Sequence, residues 1–456
     1  MTETPSDYLK ASHDRILDEL VEFAQIPSVS TDPAHKADVI RAAEWVADQL
    51  RGTGAIEPRI METSGNPVVY GEWLNAPGAP TIIIYGHYDV QPPDPLDKWE
   101  SEPFRPVIRD GRLYGRGVSD DKGPVLIPLK VAEALFATTG KLPINVKFLI
   151  EGEEEIGSPS LEPFLSDNAQ MLSADFALSA DGAMWRIDEP SVTTASRGMM
   201  GLEFGLQGSN KDLHSGRYGG SVANPLHAMA RLLASLHMDD GKVAVAGFYE
   251  YVEELAGEDK TAITGLPFDE EQYRKQLGAS ALFGESGYTT LERVWSRPTL
   301  EINGMWGGYQ GPGSKSVTPS EAHAKITCRL VMNQKPEDIQ QKLVKHLQDN
   351  IPPGVKLTIQ NDDHGALPYR IPSDHIGLQV AERVLSEVYK QKPLFVWMGG
   401  TLPVSELFKR ILGIDTVFFS FSTADEDYHA PNEFFRIHRL YEGLEAWLLY
   451  WNYLGQ

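Results

Sequence analysis

Residues 144–158 read Ile144-Asn145-Val146-Lys147-Phe148-Leu149-Ile150-Glu151-Gly152-Glu153-Glu154-Glu155-Ile156-Gly157-Ser158. The largely apolar, partly β-branched run from Ile144 to Ile150 has the length and composition of a buried strand, so the glutamates emerge where that strand ends in a loop. Open α/β sheets keep their sites at that end. Carboxylates about 4 Å apart repel by about 4 kcal/mol at an effective dielectric near ~20, and such a cluster calls for protonation, water or a cation. A glutamate run alone is most often a solvated acidic turn. A function for this one depends on partners elsewhere in the chain.

A chain of 456 residues exceeds the size at which one core stops growing, and its 41% hydrophobic content suffices for a core in each of two domains. Lysine plus arginine number 41 against 64 aspartates plus glutamates, a net charge of −23 with no basic block. That balance excludes neither solubility nor catalysis, but it argues against nucleic acid or an anionic membrane as a partner. The single cysteine, Cys328, excludes an internal disulfide and lies in the alternating segment Ala322 to Val331, where a packed, inert thiol is expected. The start, Met1 to Lys10, is polar, and no segment sustains the ~18 apolar residues of a membrane span. The expectation is a soluble protein of the cytoplasm.

Outward from the glutamates, helical spacing appears over Asp7 to Ala24 and Asp38 to Arg51, and strand-like segments over Val68 to Trp73 and Thr81 to Tyr85. The last runs into Gly86-His87-Tyr88-Asp89. In an extended chain positions i and i+2 share a face, so Asp89 can fix the tautomer of His87 while the other ring nitrogen meets a metal. Gly115-Arg116-Gly117-Val118-Ser119-Asp120-Asp121-Lys122-Gly123 then leads into a helix over Pro124 to Phe136. It is no phosphate loop, because aspartates replace the Gly-Lys-Ser/Thr ending. Phe176 to Ala180 reads as a strand ending in Asp181-Gly182.

From about Arg197 the pattern changes to long alternating segments with two helices, Asn224 to Leu236 and Pro336 to Gln348, which is the texture of an α+β insertion. After about Pro372 the mixed pattern resumes, with a helix at Asp374 to Tyr389, short strands at Leu394 to Trp397 and Thr416 to Phe419, and a last helix from Ile437 to Tyr453. The reading is an α/β fold: a first domain with a mixed sheet flanked by helices, formed by 1–196 and 372–456 and interrupted by an α+β domain at 197–371.

His87, Asp120, Glu154 or Glu155, Asp181 and His429 all lie at strand ends or in glycine-flanked loops. Borderline-soft divalent ions take imidazole and carboxylate together, and five or six such ligands fill two sites better than one. Two ions sharing a carboxylate lower the pKa of a water and clamp the oxygen of a carbonyl or phosphoryl group, and a spare carboxylate beside them can shuttle the proton. No Arg/Lys cluster accompanies the acidic groups, so amide rather than phosphoester hydrolysis is expected.

These motifs, together with Glu153-Glu154-Glu155-Ile156-Gly157-Ser158, Asp212-Leu213-His214-Ser215-Gly216 and His429-Ala430-Pro431-Asn432-Glu433, make the sequence resemble the co-catalytic zinc metallopeptidases. That family contains carboxypeptidase G, succinyl-diaminopimelate desuccinylase, aminoacylase and the carnosinase-type cytosolic dipeptidases. The resemblance covers nearly the whole chain. It implies a zinc-peptidase catalytic domain interrupted by a lid or dimerisation domain. It also implies two divalent ions per subunit, zinc first and manganese second, with His87 and Asp181 on one, Glu155 and His429 on the other, and Asp120 bridging. Glu154 is then the general base, by counting back from Gly157-Ser158, and Asp89 the carboxylate that orients His87. The Asp120–Asp121 peptide matches one that is typically cis in the family.

The dipeptidase branch is the nearest match. There Arg329 would bind the C-terminal carboxylate of a small peptide substrate, Thr401 beside Gly399-Gly400 would add donors to it, and His364 would approach from the lid. His214 would reach into the neighbouring subunit's site, which implies a homodimer. A deacylase or carboxypeptidase of the same family would share every metal residue. A non-catalytic metal-binding protein would be expected to lack the base or a ligand, and all are present.

Overall fold

A computed structural model describes residues 3–361 and 365–456. The chain divides into two compact units: 1–194 with 371–396 and 407–456, and 195–370 with 397–406.

The first unit is built on a mixed sheet of six strands, in the order Arg59–Met61, Val68–Trp73, Asn145–Glu151, Thr81–His87, Phe176–Ser179, Asp415–Phe418. The first two are antiparallel to their neighbours, and the last four run parallel. Ile82, Ile83 and Ile84 beside Val146, Phe148 and Ile150 are wholly buried, as expected for strands covered on both faces. The cover includes the helices Gly123–Thr139 and Ile437–Leu454, which pack on each other. The expected helix from Asp7 to Ala24 is two helices, Pro5–Ala11 and His13–Ala24, because Ser12 leaves the helical region (φ −99°, ψ 4°) and closes the first with bonds to Tyr8 and Leu9 carbonyls.

The second unit carries an antiparallel sheet in the order Thr299–Gly307, Glu321–Leu330, Gly198–Gln207, Lys356–Asn361. Ala322, Ala324, Ile326, Cys328 and Leu330 point into a core shared with Met229, Leu232, Leu343 and Leu347 of the helices Pro225–Ala234 and Pro336–Asn350. The period of two sends Arg329 to the opposite face. Trp397–Glu406, expected within 372–456 of the first domain, belongs to this unit. Arg197 holds it there, its backbone N–H donating to Gly400 O (3.0 Å) and its Nε to Gly399 O (2.8 Å). No helix among the described residues is long and apolar enough to cross a membrane.

Candidate metal centre

Because the last four strands of the first unit's sheet run parallel, their carboxyl ends share one edge. His87 is the last residue of its strand, Glu151 the last of the next, Asp181 lies two past Ser179, and His429 lies in the loop after Phe418. Asp120 comes from the turn Val118–Lys122 that opens the Gly123–Thr139 helix, and its peptide bond to Asp121 is cis.

The Asp120 carboxylate stands between two imidazoles. Its Oδ1 is 3.0 Å from His87 Nε2 and its Oδ2 3.0 Å from His429 Nε2. His429 Nε2 is also 3.2 Å from Glu155 Oε2. One donor atom each from His87, Asp120 and Asp181 lie within 4.8 Å of one another, and so do those of Asp120, Glu155 and His429. The groups share Asp120. On the far side of His87, Nδ1 meets Asp89 O at 3.0 Å and Asp89 Oδ1 at 3.3 Å. The same carboxylate accepts from the N–H of Glu154 (3.2 Å) and of Glu155 (3.1 Å). Buried Asp89 therefore fixes both a histidine and the turn that carries the glutamates.

The charges fit a cation. Burial, then Asp120, pushes the Glu155 carboxyl up to about 7, and burial with Asp120 pushes Asp181 up to about 6, against the pull of His87. Burial, then Asp181, Glu155 and Asp120, holds Glu154 well above the carboxylate range. His429 is pushed up to about 10 by Asp120 and Glu155. Burial opposes ionisation of Asp120, yet hydrogen bonds from His429 and His87 hold it below the usual range. Paired imidazole and carboxylate donors with several acids that resist ionising together suit divalent metal ions.

The glutamates of residues 151–155 separate by their partners. Glu151 accepts from Tyr85 OH (2.7 Å) and Ser158 Oγ (2.9 Å), and Glu153 accepts from the N–H of Asn66 (2.8 Å) and of Ser160 (3.0 Å). Both are buried structural acceptors. Glu155 faces His429, and Glu154 is left half-buried with no side-chain hydrogen bond among the described residues.

Arg329, Thr401 and His214 lie in the second unit. Arg329 Nη1 donates to Thr401 Oγ1 at 2.6 Å, and no carboxylate among the described residues pairs with Arg329. Arg329 lines a cavity of about 570 Å3 with Arg197, Tyr249 and Phe283. His214 is exposed and its Nδ1 accepts from Gly216 N–H at 3.0 Å. His364 falls outside the described residues.

Gln91, which no sequence motif singles out, donates its N–H (3.1 Å) and Nε2 (2.9 Å) to the Glu155 carboxylate. Its only signal was a position four after His87. Glu433 closes the His429 motif, and nothing in the sequence around it assigns it a role.

Residues 83–453 match the model of peptidase family M20/M25/M40. The Cys-Gly metallodipeptidase dug1 of Schizosaccharomyces pombe is 28% identical over 452 residues, covering 96% of this chain and 95% of that one. The crystal structure of human carnosine dipeptidase 1 superposes with a TM-score of 0.86 at 27% identity, covering 99% of this chain and 98% of the other. The M20 family metallo-carboxypeptidase Sso-CP2 from Sulfolobus solfataricus gives a TM-score of 0.86 at 31% identity, over 96% of this chain and 99% of its own. This chain belongs to peptidase family M20/M25/M40 and is a metallopeptidase.

Proposed function

We propose that the protein hydrolyses the peptide bond of dipeptides, or of short peptides with a free C-terminal carboxylate, at a centre of two divalent ions. The observation that carries this reading is Asp120 set 3.0 Å from both His87 Nε2 and His429 Nε2, a carboxylate placed to serve two ions at once. His87 and Asp181 would hold one ion, Glu155 and His429 the other, with zinc the first choice and manganese the second. Ions held there would supply the Lewis acidity that activates water and polarises the scissile carbonyl.

The chain's own groups do the rest. Glu154, left without a side-chain hydrogen bond among the described residues, takes the proton of the attacking water and delivers it to the leaving amine. Asp89 keeps His87 in one tautomer. Arg329, with Thr401 at its side and no acidic partner among the described residues, binds the substrate carboxylate. His214 donates to the oxyanion of a neighbouring subunit's site, and the enzyme works as a homodimer. Supporting this, Thr299–Gly307 is an edge strand that leaves Ile302 44% and Met305 55% exposed. A cytoplasmic setting accords with a single free, buried thiol.

The likeness to Sso-CP2 supports a second reading, carboxypeptidase action on longer peptides. A panel of free dipeptides, N-acyl amino acids and longer peptides separates the readings. Dipeptides should have the highest kcat/KM, and preference for either other class would refute dipeptidase function.

A further inference from the structure

We propose that Glu433 is the positioning residue of the metal centre: its carboxylate templates the turn Arg116–Asp120 and so sets Asp120 against His429, which lies on Glu433's own loop. The proposal rests on the ligand set above. It concerns how that set is held before any ion arrives.

Glu433 is wholly buried, and every partner of its side chain among the described residues is a donor. Oε2 accepts from Arg116 Nη1 at 2.7 Å and from the N–H of Gly117 at 2.9 Å. Oε1 accepts from the N–H of Ser119 at 3.0 Å and of Asp120 at 3.2 Å. The turn cannot satisfy these amides itself. It opens on Gly117 at φ +77°, where a Cβ would lie 2.1 Å from Val90 Cγ1, and Asp120 leaves the helical region (φ −125°, ψ 90°). A buried backbone N–H needs an acceptor, and here one side chain supplies it for three residues.

The same residue also ties in the second loop. Its backbone carbonyl accepts from Gly115 N–H at 3.0 Å. Arg116, held by Glu433, donates through Nη2 to Ala430 O at 3.3 Å and Pro92 O at 3.2 Å. Next to it, the Asn432 side chain accepts from Glu100 N–H at 2.8 Å and donates to Lys98 O at 3.0 Å. His429 itself sits in the left-handed region, φ +58°, so its ring is aimed by a backbone that must be held from outside. Asp120 and His429 thus take their positions from one carboxylate.

Only a carboxylate can do this. Glutamine has one acceptor oxygen and an amide N that donates, so either orientation sets a donor against two donors. Glu426, on the same loop, is the natural comparison. It is equally buried, and it accepts from Thr423 N–H (3.2 Å), Arg436 Nη1 (3.1 Å) and Ser119 Oγ, but from no amide of Asp120.

The test uses full-length protein stripped of metal and titrated with Zn2+ in competition with a chromophoric chelator. Glu433→Gln should weaken Zn2+ binding about 10- to 100-fold, as loss of an outer-shell partner does. Glu426→Gln should weaken it much less at a comparable fall in apo-protein Tm. Wild-type affinity in Glu433→Gln, or equal weakening in both variants, overturns the proposal. A second measurement needs no variant. In the metal-free wild type, amide exchange at Gly117, Ser119 and Asp120 should already be slow, because Glu433 and not the ion holds them. Fast exchange that slows only when Zn2+ is added would overturn the proposal as well.

Discussion

His429 Nε2 lies 3.0 Å from Asp120 Oδ2, across 309 positions of sequence. The parallel pairing of Phe418 with Ser179 puts the loop that carries His429 at the same sheet edge as Asp181 and His87, so a centre assembled from both ends of the chain needs the whole first unit folded. Metal binding and the stability of that unit should therefore be linked.

Glu154 should be separable from the ligands. Glu154→Gln keeps the volume and every donor atom of the ligand groups. It should bind both ions normally while kcat falls about 10²- to 10⁴-fold. Metal content and turnover measured on the same sample check this, and retained turnover at full metal content would remove Glu154 from the role of base.

Arg329 should discriminate by charge. Arg329→Met should raise KM for free dipeptides far more than for the same dipeptides amidated, since only the former offer a carboxylate to the guanidinium. Equal losses on the two series would refute the carboxylate role.

Cys328 should be silent in the native protein. It is wholly buried in the second unit's core, and burial, with Glu301 adding to it, pushes its thiol above the ordinary range. A thiol reagent should find about one equivalent after denaturation and close to none before. Rapid labelling of the folded enzyme would contradict that packing.

His214 is tested by complementation. His214→Ala and Glu154→Gln proteins, each nearly inactive alone, are unfolded together and refolded so that subunits mix. About half the dimers are then hybrids with one site holding both native residues, and about one site in four should recover. Hybrids without activity would show that His214 does not act in trans.

Much of the site was legible because its residues sit in short, glycine-punctuated stretches at the ends of apolar runs. His87 after Thr81–Tyr85 and Asp181 after Phe176–Ala180 needed only the strand reading to be placed on one edge. The division of labour among the glutamates was not legible in the same way. Glu153 is structural only because Asn66 and Ser160 amides reach it, and those contacts form in three dimensions. The same holds for Glu433, whose donors lie 313 to 317 positions away. The Trp397–Glu406 segment looked like part of the first domain, because nothing local announces that Arg197 captures its carbonyls.

On the proposed mechanism, dipeptide cleavage needs two ions that share Asp120. Metal-stripped protein should hydrolyse no dipeptide, and stepwise addition of Zn2+ or Mn2+ should restore activity up to about two equivalents per chain. Asp120→Asn should abolish this recovery. Full activity in metal-free protein, or recovery complete at one equivalent and unchanged by Asp120→Asn, would contradict the account.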